Sequence, residues 1–346
     1  MSVAINGTNG ITYNDGSLQP SAPVGRNLII NGNMQIAQRG TSFTVTGVEQ
    51  YTVDRFNLGI TEGTFVATQD TDVPSGQGFA SSLKIDSSSA IATLAAGTQN
   101  LFEQRIEAQN LTQLSYGTAN AKTITLSFWV KSNKTGTYIL WLYSPDTGNM
   151  ISNSYTISVA DTWEKKTITI VGDTVGVIAN NNDNGLFVRF MIGAGSTYQA
   201  SPIATSWTSV TSATRYQGQV NLADSTSNYI NITGVQLEAN TTATPFEHLQ
   251  YGQQLALCQR YFQLWQHIWN GVAFGSEDTT DNTSLMTEMR AAPTVVRTGG
   301  TFDTRYPSSS WVLIYTTNIS IASRVRAGTA GGNDGWKANG TLEAEL

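Results

Sequence analysis

One stretch of the sequence, residues 195–219, places aromatic rings beside side chains that form several hydrogen bonds. Flat aromatic faces pack against the C–H groups of sugar rings, while amide and guanidinium groups bind hydroxyls. A tryptophan in so polar a setting is an unusual core residue, so the pattern predicts a glycan-binding surface. The candidate residues are Tyr198, Trp207, Arg215, Tyr216 and Gln217.

A second aromatic pair, Trp141 and Tyr143, lies two residues apart in GTYILWLYS. Side chains at this spacing share one face of a strand, and we expect that face to line a concave sheet. The alternative is that these rings, together with Trp129, Trp163 and Trp207, fill the interior or contact a neighbouring subunit. The sequence leaves both alternatives open.

The residues that could catalyse covalent chemistry do not lie in recognisable catalytic motifs. Neither His248 nor His267 belongs to a known nucleophile or metalloprotease motif. Glycan hydrolysis needs two carboxylates roughly 5 to 9 Å apart, and the sequence does not pair the available ones. We therefore expect no enzymatic activity. The carboxylates considered are Glu103, Glu107, Asp146, Asp183 and Glu238.

Two oxygen-rich turns are weak candidates for a calcium site. They are SPDTGN (144–149), which contains Asp146, and NNNDNG (180–185), which contains Asp183. Carboxylate and amide oxygens are the ligands that Ca²⁺ takes. Turns of this composition occur more often without a metal, so the sequence requires no cofactor and leaves a structural Ca²⁺ open.

The composition limits the classes of partner. The net charge is −6, and the chain contains no run of basic residues, which argues against nucleic acid as a partner. The single cysteine, Cys258, excludes an internal disulfide. No apolar run approaches the roughly 20 residues of a membrane span, and we expect no secretion signal and synthesis in a cytoplasm.

Short alternating strands dominate the chain up to about Phe246. AKTITLSFWVKS (121–132) and GTYILWLYS (136–144) read as a hairpin joined by NKTG, and further strands follow at 161–172, 185–193 and 227–239. Many such strands without helical segments between them predict an antiparallel, all-β sandwich, which occupies residues 27–248.

A helix is predicted across 249–268. Apolar residues recur there at spacings of three, four and seven and form one stripe on the helix. We expect this stripe to pack around a threefold axis or against the sandwich of its own chain. In either arrangement Cys258 is a small buried apolar residue. The residues of the stripe are Leu255, Cys258, Tyr261, Phe262 and Trp265.

The two ends of the chain are smaller units. Residues 1–26 contain the turn signals Asn6-Gly7 and Asp15-Gly16 and predict a short hairpin with a linker. This segment pairs with another chain or is a disordered tail. Residues 269–346 predict a small β-rich tip domain, which is marginal as an independent core.

Several strings together resemble a group of bacteriophage tail-fibre and virion-appendage proteins: NLIINGNMQIAQRG, YTVDRF, LSFWVKS, TWEKKTITI, ITGVQLE and TPFEHLQYGQQLALCQRYFQ. The section from Asn27 to about Phe262 resembles a family 4/9 carbohydrate-binding module, which implies a jelly-roll sandwich. The end, MRAAPTVVRTGG to WKANGTLEAEL, resembles the C-terminal tip of the same group. GITYNDGSLQ resembles segments that attach such fibres to the virion.

The resemblance implies an adhesive virion protein, commonly a homotrimer, that binds host-surface glycan and other virion proteins and leaves the cell by lysis. A structural head-decoration or tail-assembly role without sugar binding is the first alternative, and a glycan depolymerase is the second. The sequence does not identify the virion site, the host or the sugar.

Overall fold

We analysed a computed structural model of the chain. Side chains are described for residues 25–264, 287–296 and 341–346. Elsewhere the backbone is described for strand residues 4–6, 10–12, 18–19, 265–273, 279–284, 297–302, 310–316, 320–326 and 332–340.

The fold is all-β, as predicted. Near the N-terminus, three short antiparallel strands form a small sheet: β1 (Ala4–Asn6), β2 (Gly10–Thr12) and β3 (Leu18–Gln19). These strands lie within residues 1–26, where the sequence predicts a short hairpin and a linker. The remainder of that predicted attachment segment, up to Val24, lies outside the described residues.

Thirteen strands form the central sandwich. They are β4 (Ser42–Thr46), β5 (Glu49–Tyr51), β6 (Asn57–Ile60), β7 (Thr64–Asp70), β8 (Ser82–Ser87), β9 (Gln99–Glu107), β10 (Ile124–Ser132), β11 (Gly136–Ser144), β12 (Asn149–Ile157), β13 (Glu164–Ile170), β14 (Asn184–Ala194), β15 (Thr208–Ser209) and β16 (Tyr229–Glu238). One sheet has six strands in the order β13-β10-β16-β8-β7-β4, and the other has seven in the order β15-β12-β11-β14-β9-β6-β5. This is a jelly-roll sandwich, and the fold-class prediction is confirmed.

Alternating side chains form the core between the two sheets. In β10, Ile124, Leu126, Phe128 and Val130 are all fully buried, as the alternation predicts. The ring of Phe128 packs edge-on against Phe190 of the facing sheet, with centroids 5.2 Å apart. The hydrophobic cluster of the sandwich therefore lies between the sheets and leaves two outer faces.

The helix is shorter than predicted. Helix α1 spans Tyr251–Gln259 and begins with a capping box between Gln250 and Gln253. Of the predicted stripe, only Leu255 and Cys258 lie on the helix, and Cys258 is buried as expected. The prediction that the helix continues through Tyr261, Phe262 and Trp265 is wrong, because β17 begins at Phe262.

Pairing with a distant strand explains the early end of the helix. Phe262 pairs with Glu343, so this aromatic residue adopts the extended conformation that its type favours. Tyr261 and Phe262 are buried, and their rings lie under the guanidinium groups of Arg55 and Arg39. The side chain of Trp265 lies outside the described residues.

Six strands follow the helix: β17 (Phe262–Ala273), β18 (Thr279–Ser284), β19 (Thr294–Phe302), β20 (Ser310–Thr316), β21 (Ser320–Arg326) and β22 (Gly332–Glu343). They form two three-stranded sheets, β17-β22-β19 and β18-β21-β20, which accounts for the predicted β-rich tip. Among the described residues, no helix is long and apolar enough to cross a membrane.

Candidate functional site

The outer face of the seven-stranded sheet carries the side chains that alternate with the core. β11 directs Leu140 and Leu142 inward and therefore places Trp141 and Tyr143 on the outer face. The same alternation applies to β14 and β9. Their outward residues are Phe187, Arg189 and Met191 in β14, and Leu101, Glu103 and Arg105 in β9.

Strand register aligns these side chains in two rows. In the first row Trp141 lies opposite Arg189, and Arg189 lies opposite Glu103. In the second row Tyr143 lies opposite Phe187, and Phe187 lies opposite Arg105. Because neighbouring strands are about 4.8 Å apart, each row brings its side chains into mutual contact.

The segment 195–219 covers one part of this face. Tyr216 is fully buried in it and meets Trp141 edge-on at 6.0 Å. The Tyr216 hydroxyl donates to Gln99 Oε1 at 3.1 Å, and Gln99 Nε2 donates to the Tyr198 hydroxyl at 2.9 Å. Burial raises the pKa of Tyr216 to about 12, so this hydroxyl remains a neutral donor.

Beside the covered part lie four half-buried side chains, which we call the aromatic–arginine platform: Tyr143, Phe187, Arg105 and Arg189. Tyr143 stacks on Trp141 with centroids 5.1 Å apart and planes at 6°. The Phe187 ring lies 5.7 Å from Tyr143, and the guanidinium groups of Arg189 and Arg105 lie 4.7 Å and 5.1 Å from its centre. Aromatic area and cationic donors therefore meet on one surface.

Glu103 fixes the two arginines of the platform. Its buried carboxylate accepts a hydrogen bond from Arg105 Nε at 2.6 Å and another from Arg189 Nε. Burial acts to lower the pKa of Arg105, but the charges of Glu103 and Glu49 and the hydrogen bond to Glu103 act together with Tyr51 to outweigh burial, so the pKa is raised. The pairing holds both guanidinium groups in a defined orientation.

A cleft of about 250 Å³ opens next to the platform. Arg189 belongs to both, and Glu49, Gly59, Gln99 and Leu101 line other parts of the cleft. Within the described residues, the side chain of Arg189 donates to Glu103 through Nε, and its two Nη groups make no further hydrogen bond. The cleft therefore offers free donors beside the aromatic surface.

Three buried polar atoms on this side of the sheet also have no hydrogen-bond partner among the described residues. They are Ser152 Oγ, Asn57 Oδ1 and Arg215 Nε. Ser152 lies opposite Trp141, and Asn57 lies opposite Glu103, so the first row continues through both residues. Unpartnered buried polar groups are uncommon in folded proteins.

The structure brings together five of the seven residues predicted to bind glycan: Trp141, Tyr143, Tyr198, Arg215 and Tyr216. The Arg215 guanidinium lies 5.2 Å from the Trp141 ring and 5.4 Å from the Tyr198 ring. Trp141 is only 2% exposed, so it packs against the ring of Tyr143 and is not itself a contact surface. Gln217 is exposed.

Trp207 lies apart from this group. Its indole Nε1 donates to the Val171 carbonyl at 2.7 Å, and its ring meets Tyr116 edge-on at 5.8 Å. The ring packs against the main core of the sandwich, which matches the alternative interpretation of the tryptophans. Its position therefore favours a role in holding the segment 195–219 in place.

Sequence reasoning missed Phe187, Arg189 and Arg105. A signal for them was present, because Phe187 and Arg189 alternate with the apolar residues Leu186, Val188 and Phe190 in GLFVRFMIG. The alternation places an aromatic residue and an arginine on one face of their strand, but it does not show that this strand neighbours Trp141.

The carboxylates considered for hydrolysis are held by other groups. Glu103 lies between two arginines, and Glu107 accepts from Arg260 Nε at 3.0 Å and Nη2 at 2.9 Å. Asp146 Oδ2 accepts from the Ala179 backbone at 2.9 Å, and Asp183 Oδ2 from Asn181 at 2.9 Å. The described part of the chain contains no group of three metal-binding side chains.

Comparisons with known proteins found no matching family model and no match among curated proteins. Among solved structures, the enzymatically active domain of tailspike protein 4 from bacteriophage CBA120 is similar over 62% of this chain, at 16% identity and a TM-score of 0.33. The match covers 22% of that tailspike chain, so this chain spans less than a quarter of it.

Two carbohydrate-binding modules are also similar. A CBM4 structure matches 61% of this chain and 98% of its own, at 14% identity and a TM-score of 0.28. The CBM22-1 xylan-binding domain from Paenibacillus barcinonensis matches 64% of this chain and 100% of its own, at 11% identity and a TM-score of 0.31.

Proposed function

We propose that the chain binds glycan without cleaving it, and that the aromatic–arginine platform is the binding surface. One observation carries the proposal: the half-exposed rings of Tyr143 and Phe187 share a sheet face with the free Nη donors of Arg189. The rings offer flat apolar area to sugar C–H groups, and the guanidinium donates to hydroxyls.

The platform is preorganised for binding. Trp141 stacks against Tyr143, and Glu103 orients Arg189 and Arg105. Little side-chain entropy is then lost when a ligand is bound, which raises the affinity obtained from a small contact area. Glu103 is engaged by two arginines, so it is not available as a general acid, and the depolymerase alternative gains no support from it.

Affinity electrophoresis tests the proposal. The purified protein is run through gels containing xylan, galactan or bacterial capsular polysaccharide, beside the double variant Tyr143→Ala/Phe187→Ala. We expect retardation in at least one gel and its loss in the double variant. Trp163→Ala, which removes a half-buried ring just before β13 of the other sheet, is the control and retains binding. Equal retardation of all three proteins would place the ligand elsewhere.

We further propose that this binding serves adhesion of a phage appendage to its host. The support is the sequence resemblance described above, together with a jelly roll flanked by small β-rich units. Residues 1–26 would contact other virion proteins, and the protein would be made in the host cytoplasm, assembled into the virion and released by lysis. In the structural alternative, another virion protein covers the platform instead of a glycan.

A homotrimer remains part of this proposal, but the helix no longer supports it. Cys258, Tyr261 and Phe262 are buried within their own chain and are therefore not available to a threefold interface. Sedimentation equilibrium of the full chain measures the oligomeric state directly. A monomer would contradict the trimer without affecting the assignment of the glycan site.

A further inference from the structure

A second pocket lies on the outer face of the six-stranded sheet, across the sandwich from the aromatic–arginine platform. It encloses about 470 Å³, which lies within the roughly 300–1,000 Å³ of small-ligand sites. The rings of Phe79, Trp129, Phe246 and His248 line it. We call it the Trp129 pocket.

A bulge in β16 forms part of the pocket. The pairing of β10 with β16 shifts register between Ser127 and Trp129, and Gly234 occupies the bulge with a φ of +63°. A Cβ atom at Gly234 would lie 2.6 Å from Cζ of Phe79. Only glycine therefore allows both the backbone conformation and the close contact with the Phe79 ring.

The segment 243–248 forms one wall, and buried polar residues hold it in place. The Thr244 backbone donates to Glu238 Oε1 at 2.8 Å, and the Glu247 backbone donates to Gln236 Oε1 at 2.8 Å. The Phe246 ring then meets Phe79 at 5.1 Å and His248 at 5.0 Å. The wall is thus fixed before a ligand is bound.

Lys165 gives the Trp129 pocket a free positive charge. It lies opposite Trp129 in the β10–β13 pair, lines the pocket and is exposed. Within the part of the chain that the structure describes, Lys165 has no ion pair, whereas Lys131 is paired with Asp72 and Lys84 with Asp86.

Neutral polar groups complete the lining. They come from Gln77, Ser127 and Thr244. The nearby carboxylate of Glu238 accepts hydrogen bonds from Thr244 and Gln236 and is not among the lining groups. The pocket therefore combines aromatic area, neutral hydrogen-bonding groups and one unpaired ammonium.

We infer that the Trp129 pocket binds the carboxylated residue of an acidic saccharide. The aromatic rings contact the C–H groups of the sugar, Ser127 and Thr244 contact its hydroxyls, and Lys165 pairs with its carboxylate. The inference does not depend on the aromatic–arginine platform, because the two sites lie on different sheets and share no residue.

The test uses the chain's small number of histidines. His248 is one of two histidines, so its ring ¹H–¹³C resonance, assigned by its loss in His248→Gln, reports occupancy of this pocket. The full-length protein is titrated with trigalacturonate, triguluronate and sialyllactose. Galactotriose and lactose are the neutral counterparts. Lys165→Gln removes the ammonium, and Lys122→Gln removes an exposed lysine elsewhere as the charge-matched control.

We expect at least one acidic saccharide to shift the His248 resonance and to bind about tenfold or more tightly than its neutral counterpart. Lys165→Gln should lose about that factor, whereas Lys122→Gln and Phe187→Ala should leave the titration unchanged. The inference is overturned if no acidic saccharide shifts the resonance, if neutral sugars bind equally well, or if Lys122→Gln weakens binding as much as Lys165→Gln. If Phe187→Ala were the only variant to lose saccharide binding, the ligand would be assigned to the aromatic–arginine platform.

Discussion

Arg55 and Glu345, which are 290 residues apart in the chain, form an ion pair that is almost fully enclosed. The Arg55 guanidinium lies 3.4 Å from the centre of the Tyr261 ring and donates to the Arg105 carbonyl at 2.6 Å. Glu345 also accepts from Arg39 at 3.0 Å. Residues 341–346 are therefore bound to the sandwich by buried charge, beside the aromatic–arginine platform, whose Arg105 donates to the Leu346 carbonyl at 2.8 Å.

Removing the carboxylate of this pair should destabilise the protein strongly. Glu345→Ala leaves Arg55 as a buried charge without a partner, which typically costs about 3–5 kcal/mol. The matched control is Glu343→Ala, because its half-exposed carboxylate pairs with Arg39 and should contribute about 1 kcal/mol or less. Urea unfolding followed by tryptophan fluorescence compares the two. Equal midpoints would show that the Arg55 pair contributes no more than a surface pair.

The ion pair between the buried Glu107 and the half-buried Arg260 should make stability sensitive to acid. Burial acts to raise the pKa of Glu107, but hydrogen bonds from Arg260 and Tyr261 hold it below its usual 4.5. Because the pKa is lower in the folded state, the contribution is present above about pH 4.5 and is lost as the pH falls through the folded value.

Glu107→Gln should therefore lower the free energy of unfolding at pH 7 and weaken its dependence on pH below about 4.5. Urea midpoints at pH 7, 4 and 3 measure both effects, with Glu343→Gln as the control. If the difference between wild type and Glu107→Gln stays constant over this range, the pair does not contribute to acid sensitivity.

Gly234 and Gly47 provide a matched pair for the bulge of the Trp129 pocket. Their φ angles are +63° and +62°, but a Cβ at Gly47 meets nothing within 4 Å, whereas one at Gly234 meets Phe79. Gly47→Ala should cost only the backbone strain of about 1–2 kcal/mol. Gly234→Ala should cost measurably more in urea unfolding and should shift the His248 resonance. Equal costs would mean that Phe79 moves aside freely.

Cys258 should react with thiol reagents only when the protein opens. It is the single cysteine and is buried, and burial raises the pKa of its thiol well above the usual value. Labelling with Ellman's reagent should be slow in native buffer and complete in denaturant. Glu345→Ala should accelerate native labelling, because it loosens the contact next to Cys258. Rapid labelling of the wild type would contradict this packing.

The alternation of side chains made the sandwich predictable. β10 and β11 place their residues as the sequence indicated, and this alone located Trp141 and Tyr143 on one outer face. The register of β11 with β14 and β9 depends on long-range pairing, so the neighbours Phe187, Arg189 and Arg105 could not be assigned to the same site from local pattern.

Non-local contacts decided the remaining cases. Trp207 and Tyr216 lie in the same polar stretch, 195–219. Trp207 nevertheless packs on the main core, whereas Tyr216 is buried on the outer face beside Trp141. The apolar residues have helical spacing through Phe262, but Phe262 forms a strand because it pairs with Glu343 of β22. Intrinsic helix propensity predicts local structure only weakly where a distant strand provides hydrogen bonds to the backbone.

The most direct test of the glycan site compares two aromatic residues that sequence and structure rank differently. A polysaccharide that retards the wild type is titrated calorimetrically into Phe187→Ala and into Trp207→Ala, after circular dichroism has shown that both variants are folded. The account predicts that Phe187→Ala loses about tenfold or more in affinity, since stacked rings and their contacts contribute roughly 1–3 kcal/mol, and that Trp207→Ala binds as the wild type does. Retained affinity in Phe187→Ala with loss in Trp207→Ala would contradict it and return the site to the stretch around Trp207.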